Sequence, residues 1–261
     1  MKRVVLLLMV FCFALGLSAE AKERAQQTSY NIIYIGNSIT YGAMHPDRAK
    51  TAPPAVATAA VAKKVEGVED FRNCGRSGAT TVDFLPALNR DFKRVEKSIA
   101  DFKAAEQAGK QTKYVFSFML GTNDSACTGP TGAPVSNDDY KKNLLTIISR
   151  LRELCPDAIF VLHRPVWYSP NTYNNARYLV EGLNRVTGYI NILTELANEN
   201  ADIYLGDCES YDLFKRSYEK LMFAEEGNAG TFYLHPTVKG AKKMGQNWAN
   251  AIIEAIEASS K

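Results

Sequence analysis

Short runs rich in Ile, Val, Phe and Tyr alternate with helix-like stretches from residue 30 to the C-terminus. Such alternation is the pattern of a parallel sheet, because parallel neighbours need a long crossover, and the crossover helices then cover the sheet faces. The predicted strands are Tyr30 to Gly36, Val68 to Asn73, Lys113 to Leu120, Ala158 to Arg164 and Asp202 to Gly206. Gly, Pro, Asn or Asp follows most of them, as expected where a buried strand ends in a turn. The predicted helices run over Pro54 to Val65, Asp91 to Ala108, Asn137 to Leu154, Asn174 to Asn198 and Thr237 to Ala258. A short helix from Tyr211 to Leu221 is expected next to a Gly- and Asn-rich loop that leads to Leu234. No repeat or low-complexity linker divides the chain, and 261 residues with 46% hydrophobic composition can bury one full core. The expectation is a single α/β domain over residues 22–261.

The first residues read as an export leader. Lys2 and Arg3 precede an apolar run from Val4 to Leu17, and small residues follow at Ala19 and Ala21. Cleavage after Ala21 removes Lys2, Arg3 and Glu20 and leaves 29 basic and 27 acidic residues, a net of about +2 with histidine neutral. A near-balanced chain without a basic block gives no electrostatic case for nucleic acid or an anionic membrane surface. The expected protein is exported, periplasmic or secreted, without stable membrane association once the leader is gone. Cys74, Cys127, Cys155 and Cys208 are widely spaced and form no C-x-x-C pair, so isolated thiols are favoured slightly over disulfides. His45, His163 and His235 belong to no ligand motif, and neither a metal nor another cofactor is expected.

In an open parallel sheet, ligands bind beyond the carboxyl ends of the strands. Four such places carry unusual residues. The first strand ends in Gly36-Asn37-Ser38, a strand-to-helix turn that presents a serine beside its own backbone N–H. The second ends in Asn73-Cys74-Gly75-Arg76-Ser77-Gly78, whose glycines permit positive φ or close backbone approach. The third ends in Gly121-Thr122-Asn123-Asp124, where an amide at a strand end can donate to an anion. Near the C-terminus, His235-Pro236-Thr237 places a histidine just before the last helix. Each alone has a plain structural explanation as a cap or a turn. Together they lie in order on one face of the predicted sheet. Neither G-x-x-x-x-G-K-[ST], G-x-G-x-x-G nor G-x-S-x-G is present, which disfavours a nucleotide-binding domain and a standard α/β-hydrolase.

This ordered set resembles the blocks of SGNH (GDSL-like) hydrolases, with Asn37 standing where the GDS block has Asp. The resemblance implies a flavodoxin-like three-layer sandwich, a five-stranded parallel sheet of order 2-1-3-4-5 with helices on both faces. It also implies a serine esterase with Ser38 as nucleophile and His235 as its base. The implied oxyanion hole consists of the backbone N–H groups of Ser38 and Gly78 and the side-chain amide of Asn123. One departure is plain. The family places Asp three residues before the histidine, and this chain has Phe232 there. A backbone carbonyl near Phe232 is the first expectation for what orients His235, with Asp207, Glu225 and Glu226 as acidic alternatives. A catalytically impaired glycan-binding protein is the competing reading.

The loop His163-Arg164-Pro165-Val166-Trp167-Tyr168 combines a cation with aromatics. Trp167 and Tyr168 could face a sugar ring, and Arg164 or Arg76 could grip a carboxylate; equally, the two aromatics could simply pack the loop down. Likeness to exported carbohydrate esterases points to acetyl esters on glycans, with sialic acid and plant polysaccharide both open. A lipase-type acylhydrolase is the other alternative, disfavoured by the lack of an extended apolar lid.

Overall fold

The computed structural model describes residues 28–106 and 111–260, so the expected leader at residues 1–21 lies outside the described residues. In chain order the elements are β1 (Thr28–Gly36), α1 (Ser38–Tyr41), α2 (Arg48–Thr51), α3 (Pro53–Val61), β2 (Val68–Asn73), α4 (Phe92–Ala105), β3 (Gln111–Met119), α5 (Asn137–Leu154), β4 (Ile159–Leu162), β5 (Asn171–Tyr173), β6 (Ala176–Tyr178), α6 (Val180–Glu199), β7 (Ile203–Leu205), α7 (Glu209–Leu221), β8 (Glu225–Gly227), β9 (Gly230–Phe232) and α8 (Val238–Ala258).

Five strands form one parallel sheet in the order β2-β1-β3-β4-β7. This is the expected 2-1-3-4-5 order of the α/β sandwich. Strand β1, interior to the sheet, pairs with β3 along its whole length, from Thr28 opposite Gln111 to Gly36 opposite Met119. A strand covered on both faces needs apolar residues on both, which is why Ile32, Ile33, Tyr34 and Ile35 form an unbroken buried run rather than an alternating one. Ile32 and Tyr34 pack with Ala57 and Val61 of α3, Phe214 of α7 and Trp248 of α8. Ile33 and Ile35 face the other way, toward Ile99 of α4, Ile147 of α5 and Leu193 of α6. Trp248 lies over the first of these faces, its ring stacked 4.7 Å from His163 and 6.0 Å from Tyr34. Truncating a buried aromatic of this size typically costs about 3–5 kcal/mol. The helices that deliver the site start on side-chain caps: Ser136 accepts from the Asp139 N–H at α5, and Thr237 accepts from the Gly240 N–H at α8.

Two segments differ from the sequence expectation. Residues 171–178, placed partly in a helix from Asn174, form the β5–β6 hairpin, and α6 begins only at Val180. Asn174 and Asn175 have φ of 49° and 62°, the paired left-handed conformation of a two-residue hairpin turn, which asparagine tolerates better than most residues. Residues 225–232, expected as loop, form the β8–β9 hairpin. The two hairpins are stapled together. Asn171 donates from Nδ2 to the Gly230 carbonyl at 3.1 Å and accepts at Oδ1 from the Ala229 N–H at 3.0 Å, while Tyr173 and Phe232 pack ring on ring 5.1 Å apart. Among the described residues, no helix is long and apolar enough to cross a membrane, and the four cysteines are free thiols.

Candidate active site

Strand β1 ends at Gly36, where any side chain would collide with Thr40 and with the Met119 carbonyl, so the turn into α1 can be this tight only with glycine. Asn37 caps α1, its Oδ1 accepting from the Ile39 N–H at 2.9 Å. An amide oxygen accepts here as a carboxylate would, which accounts for Asn in the place of Asp. Ser38 follows as the first helical residue. Among the described residues its N–H meets no acceptor, the usual state of a helix N-terminus and the basis of its pull on anions.

His235 reaches Ser38 from the far end of the chain, with Nε2 2.8 Å from Oγ. Its Nδ1 lies 2.9 Å from both carboxylate oxygens of Glu225, and its backbone N–H donates to Oε1 at 3.2 Å. The ring is therefore held by a buried carboxylate and not by a carbonyl near Phe232, contrary to the first sequence expectation. Of the other acids considered, Asp207 is engaged just before α7, where its carboxylate accepts from the Glu209 and Ser210 N–H groups, and Glu226 is exposed. Burial on its own would raise the pKa of Glu225. The hydrogen bond and charge of His235, with help from the Tyr173 hydroxyl, outweigh that and hold the carboxyl below its ordinary value. An ionised Glu225 fixes the proton of the neutral imidazole on Nδ1, which leaves Nε2 as an acceptor toward the serine hydroxyl.

Gly78 and Asn123 complete the group. Gly78 has φ of 78°, and its N–H meets no acceptor among the described residues. Asn123 is 3% exposed; its Nδ2 donates to the Ala79 carbonyl at 2.8 Å, and its Oδ1 accepts from the Tyr178 hydroxyl at 2.6 Å. Neighbouring Asp124 ties the loops after β2 and β3 together, accepting from the Thr81 N–H at 2.8 Å and the Gly121 N–H at 3.2 Å. Its burial pushes the carboxyl up to about 6, against the hydrogen bonds from Thr81 and Gly121 that pull it down. Ser38, Gly78, Asn123 and His235 line one cavity of about 390 Å³, bounded also by Met44, Tyr173, Asn174 and Tyr178. A larger, more open depression of about 770 Å³ beside α5 contains none of these groups.

A family model for the GDSL-like lipase/acylhydrolase family matches residues 34–243, from the middle of β1 into α8. The chain belongs to this family. It is accordingly a carboxylic ester hydrolase of the serine type. No curated protein sequence matches it. Solved structures share the fold at low identity. A catalytic mutant of Axe2, an acetylxylan esterase from Geobacillus stearothermophilus, is 17% identical with a TM-score of 0.56, covering 87% of this chain and 93% of its own. LAE5, an alpha/beta hydrolase enzyme from the metagenome of Lake Arreo, is 18% identical at a TM-score of 0.56, covering 91% and 100%. A member of the lipolytic G-D-S-L family from Veillonella parvula is 16% identical at 0.51, covering 88% and 99%.

In this GDSL-like hydrolase the four residues expected to hold substrate are not brought to the cavity. The Arg76 guanidinium is paired with Asp91 and, at 2.7 Å, with fully buried Asp83. Arg164 lies flat over the Tyr211 ring, 3.7 Å from its centroid. Trp167 packs against Tyr218 at 5.2 Å. Tyr168 is fully buried one layer behind the cavity, its hydroxyl 2.9 Å from Ser125 Oγ. Both cations thus have intramolecular partners, and the aromatics pack their loop down, the plainer of the two readings of that segment. The cavity wall comes instead from the β5–β6 hairpin, which supplies Tyr173, Asn174, Asn175 and Tyr178. The sequence signal for it was the Asn174-Asn175 pair between tyrosines, a hairpin signature that a helix assignment had absorbed.

Proposed function

We propose that the protein removes acetyl groups from neutral, acetylated carbohydrate by acyl transfer through Ser38. The observation that carries this reading is the unbroken chain Ser38 Oγ, His235 Nε2, His235 Nδ1, Glu225, with distances of 2.8 and 2.9 Å, opening on a cavity that also holds Gly78 and Asn123. Ser38 Oγ attacks the ester carbonyl while its proton passes to His235 Nε2, and Glu225 stabilises the imidazolium that forms. The oxyanion accepts hydrogen bonds from the Ser38 and Gly78 N–H groups and the Asn123 amide. The tetrahedral adduct collapses, and the departing sugar oxygen takes the proton from His235. Water then attacks the acetyl-enzyme with His235 as base, and acetate leaves as the Ser38 hydroxyl is restored. The carboxylate at Glu225 removes the motive for a catalytically impaired, purely binding role, since that reading arose from the lack of Asp at position 232.

Two features of the cavity support the substrate class. It is far larger than an acetyl group and walled by tyrosines and asparagine amides, the groups that meet the faces and hydroxyls of a sugar. Among the described residues no lysine or arginine lines it, and Arg76 and Arg164 are held elsewhere, which favours a neutral sugar over sialic acid. The fold likeness to an acetylxylan esterase agrees with that choice. Residues 1–21 support action outside the cytoplasm. The test is acetate release from acetylated neutral oligosaccharides, from O-acetylated sialic acid and from nitrophenyl esters of increasing chain length, each with Ser38→Ala as control. Preference for the neutral acetates is expected; preference for octanoate or for sialic acid overturns the substrate assignment, and equal rates with Ser38→Ala overturn the esterase.

A further inference from the structure

Asn123 is held at both ends of its amide. Oδ1 accepts from the Tyr178 hydroxyl at 2.6 Å, and one of the two Nδ2 hydrogens goes to the Ala79 carbonyl at 2.8 Å. An amide oxygen carries no proton, so in this pair Tyr178 is the donor. Turning the amide over would set its oxygen against the Ala79 carbonyl, two acceptors face to face, and its NH₂ against a hydroxyl. The two contacts together select one orientation, and that orientation leaves the second Nδ2 hydrogen for the cavity that Ser38 and His235 share.

Tyr178 is itself fixed. It is 5% exposed, its ring stacks on Phe232 at 5.6 Å and meets Tyr168 edge-on at 5.4 Å. Its strand is pinned by Arg177, whose N–H donates to the Thr128 carbonyl at 3.0 Å and whose carbonyl accepts from the Cys127 N–H at 2.8 Å. Phe232 is the cross-strand partner of Glu225. One aromatic stack, Tyr173, Phe232 and Tyr178, therefore stands behind both the carboxylate that holds His235 and the hydroxyl that holds Asn123.

We infer that Tyr178 is a positioning residue of the reaction: its hydroxyl sets the Asn123 amide so that an N–H faces the developing oxyanion. The inference rests on the reading of Asn123 as an oxyanion donor. Tyr178→Phe keeps the ring stack and removes only the hydroxyl. Steady-state hydrolysis of 4-nitrophenyl acetate is to be measured for the wild type, Tyr178→Phe, Asn123→Ala and the double variant. The expected result is a kcat about tenfold lower for Tyr178→Phe with KM nearly unchanged, the size of one neutral hydrogen bond. With Asn123 already replaced by Ala, the same substitution then has no further effect on kcat. A loss that persists in the Asn123→Ala background, or that falls on KM, makes Tyr178 a substrate contact or a packing residue and overturns the inference alone. An Asn123→Ala enzyme as active as the wild type overturns it together with the oxyanion reading.

Discussion

Glu225 and Phe232 stand opposite each other across the antiparallel β8–β9 ladder. Directly opposed residues of such a pair project to the same face. The carboxylate that reaches His235 Nδ1 therefore stands on the strand opposite Phe232 and not at position 232 itself. Phe232 is the apolar plate between Tyr173 and Tyr178. Glu225→Gln is expected to lower kcat on an acetyl ester by about 10²- to 10⁴-fold, because a neutral amide can present its NH₂ to Nδ1 and favour the wrong tautomer. Glu226→Gln, one residue away and exposed, is expected to leave kcat unchanged. Equal losses in the two variants would remove Glu225 from the relay.

Replacing Asn123 by Ala is expected to lower kcat by about 10²- to 10³-fold, roughly 2.7–4 kcal/mol, with KM little altered, because in the proposed oxyanion role the amide would act on charge that exists only in the transition state. Steady-state kinetics on the same ester check it. A change confined to KM would mean that the amide binds ground-state substrate.

The strands and the loops that end the first and third of them could be read from local chemistry, an apolar run followed by a turn with a functional group, whereas the sheet order and the pairing of Ser38 with His235 were legible only through the resemblance of the ordered blocks to a known family. What could not be read at all depended on contacts between distant segments. Glu225 was only one acid among three, since nothing local distinguishes it from Glu226 or Asp207 until β8 pairs with β9. Arg76 and Arg164 looked available because their partners, Asp83 with Asp91 and Tyr211, are supplied by other parts of the chain. The β5–β6 hairpin was hidden because three-residue strands carry little periodicity beside a long helix.

The two arginines separate binding from stability. Arg164→Ala is expected to leave KM for acetylated oligosaccharides unchanged. Arg76→Ala is expected to lower stability by about 2 kcal/mol, since it leaves buried Asp83 and Asp91 short of a counter-charge, with Arg90 still paired to Asp83 at 2.8 Å. Urea midpoints and KM values for both variants test this; a large rise in KM for Arg164→Ala would restore it to the substrate site.

His163 predicts a pH dependence of stability. Its Nδ1 accepts from the Asp207 N–H at 2.9 Å, its Nε2 lies 2.8 Å from Ser117 Oγ, and burial lowers its pKa to about 3. The folded state keeps it neutral while the unfolded chain takes up a proton near pH 6.5. Its contribution is therefore full above about pH 6.5 and is lost as the pH falls toward about 3, roughly 2 kcal/mol between pH 7 and pH 5. His163→Gln, which does not titrate, is expected to lose correspondingly less stability than the wild type over that interval in urea unfolding. Identical losses would mean that His163 is protonated inside the fold.

The most direct test of the Ser38–His235–Glu225 relay is covalent. A small alkyl fluorophosphonate that mimics the tetrahedral adduct should add once per chain, and peptide mass mapping should place the adduct on Ser38, with labelling abolished by Ser38→Ala and slowed severely by His235→Ala. Labelling at another residue, or labelling of Ser38 at the same rate without His235, would contradict it.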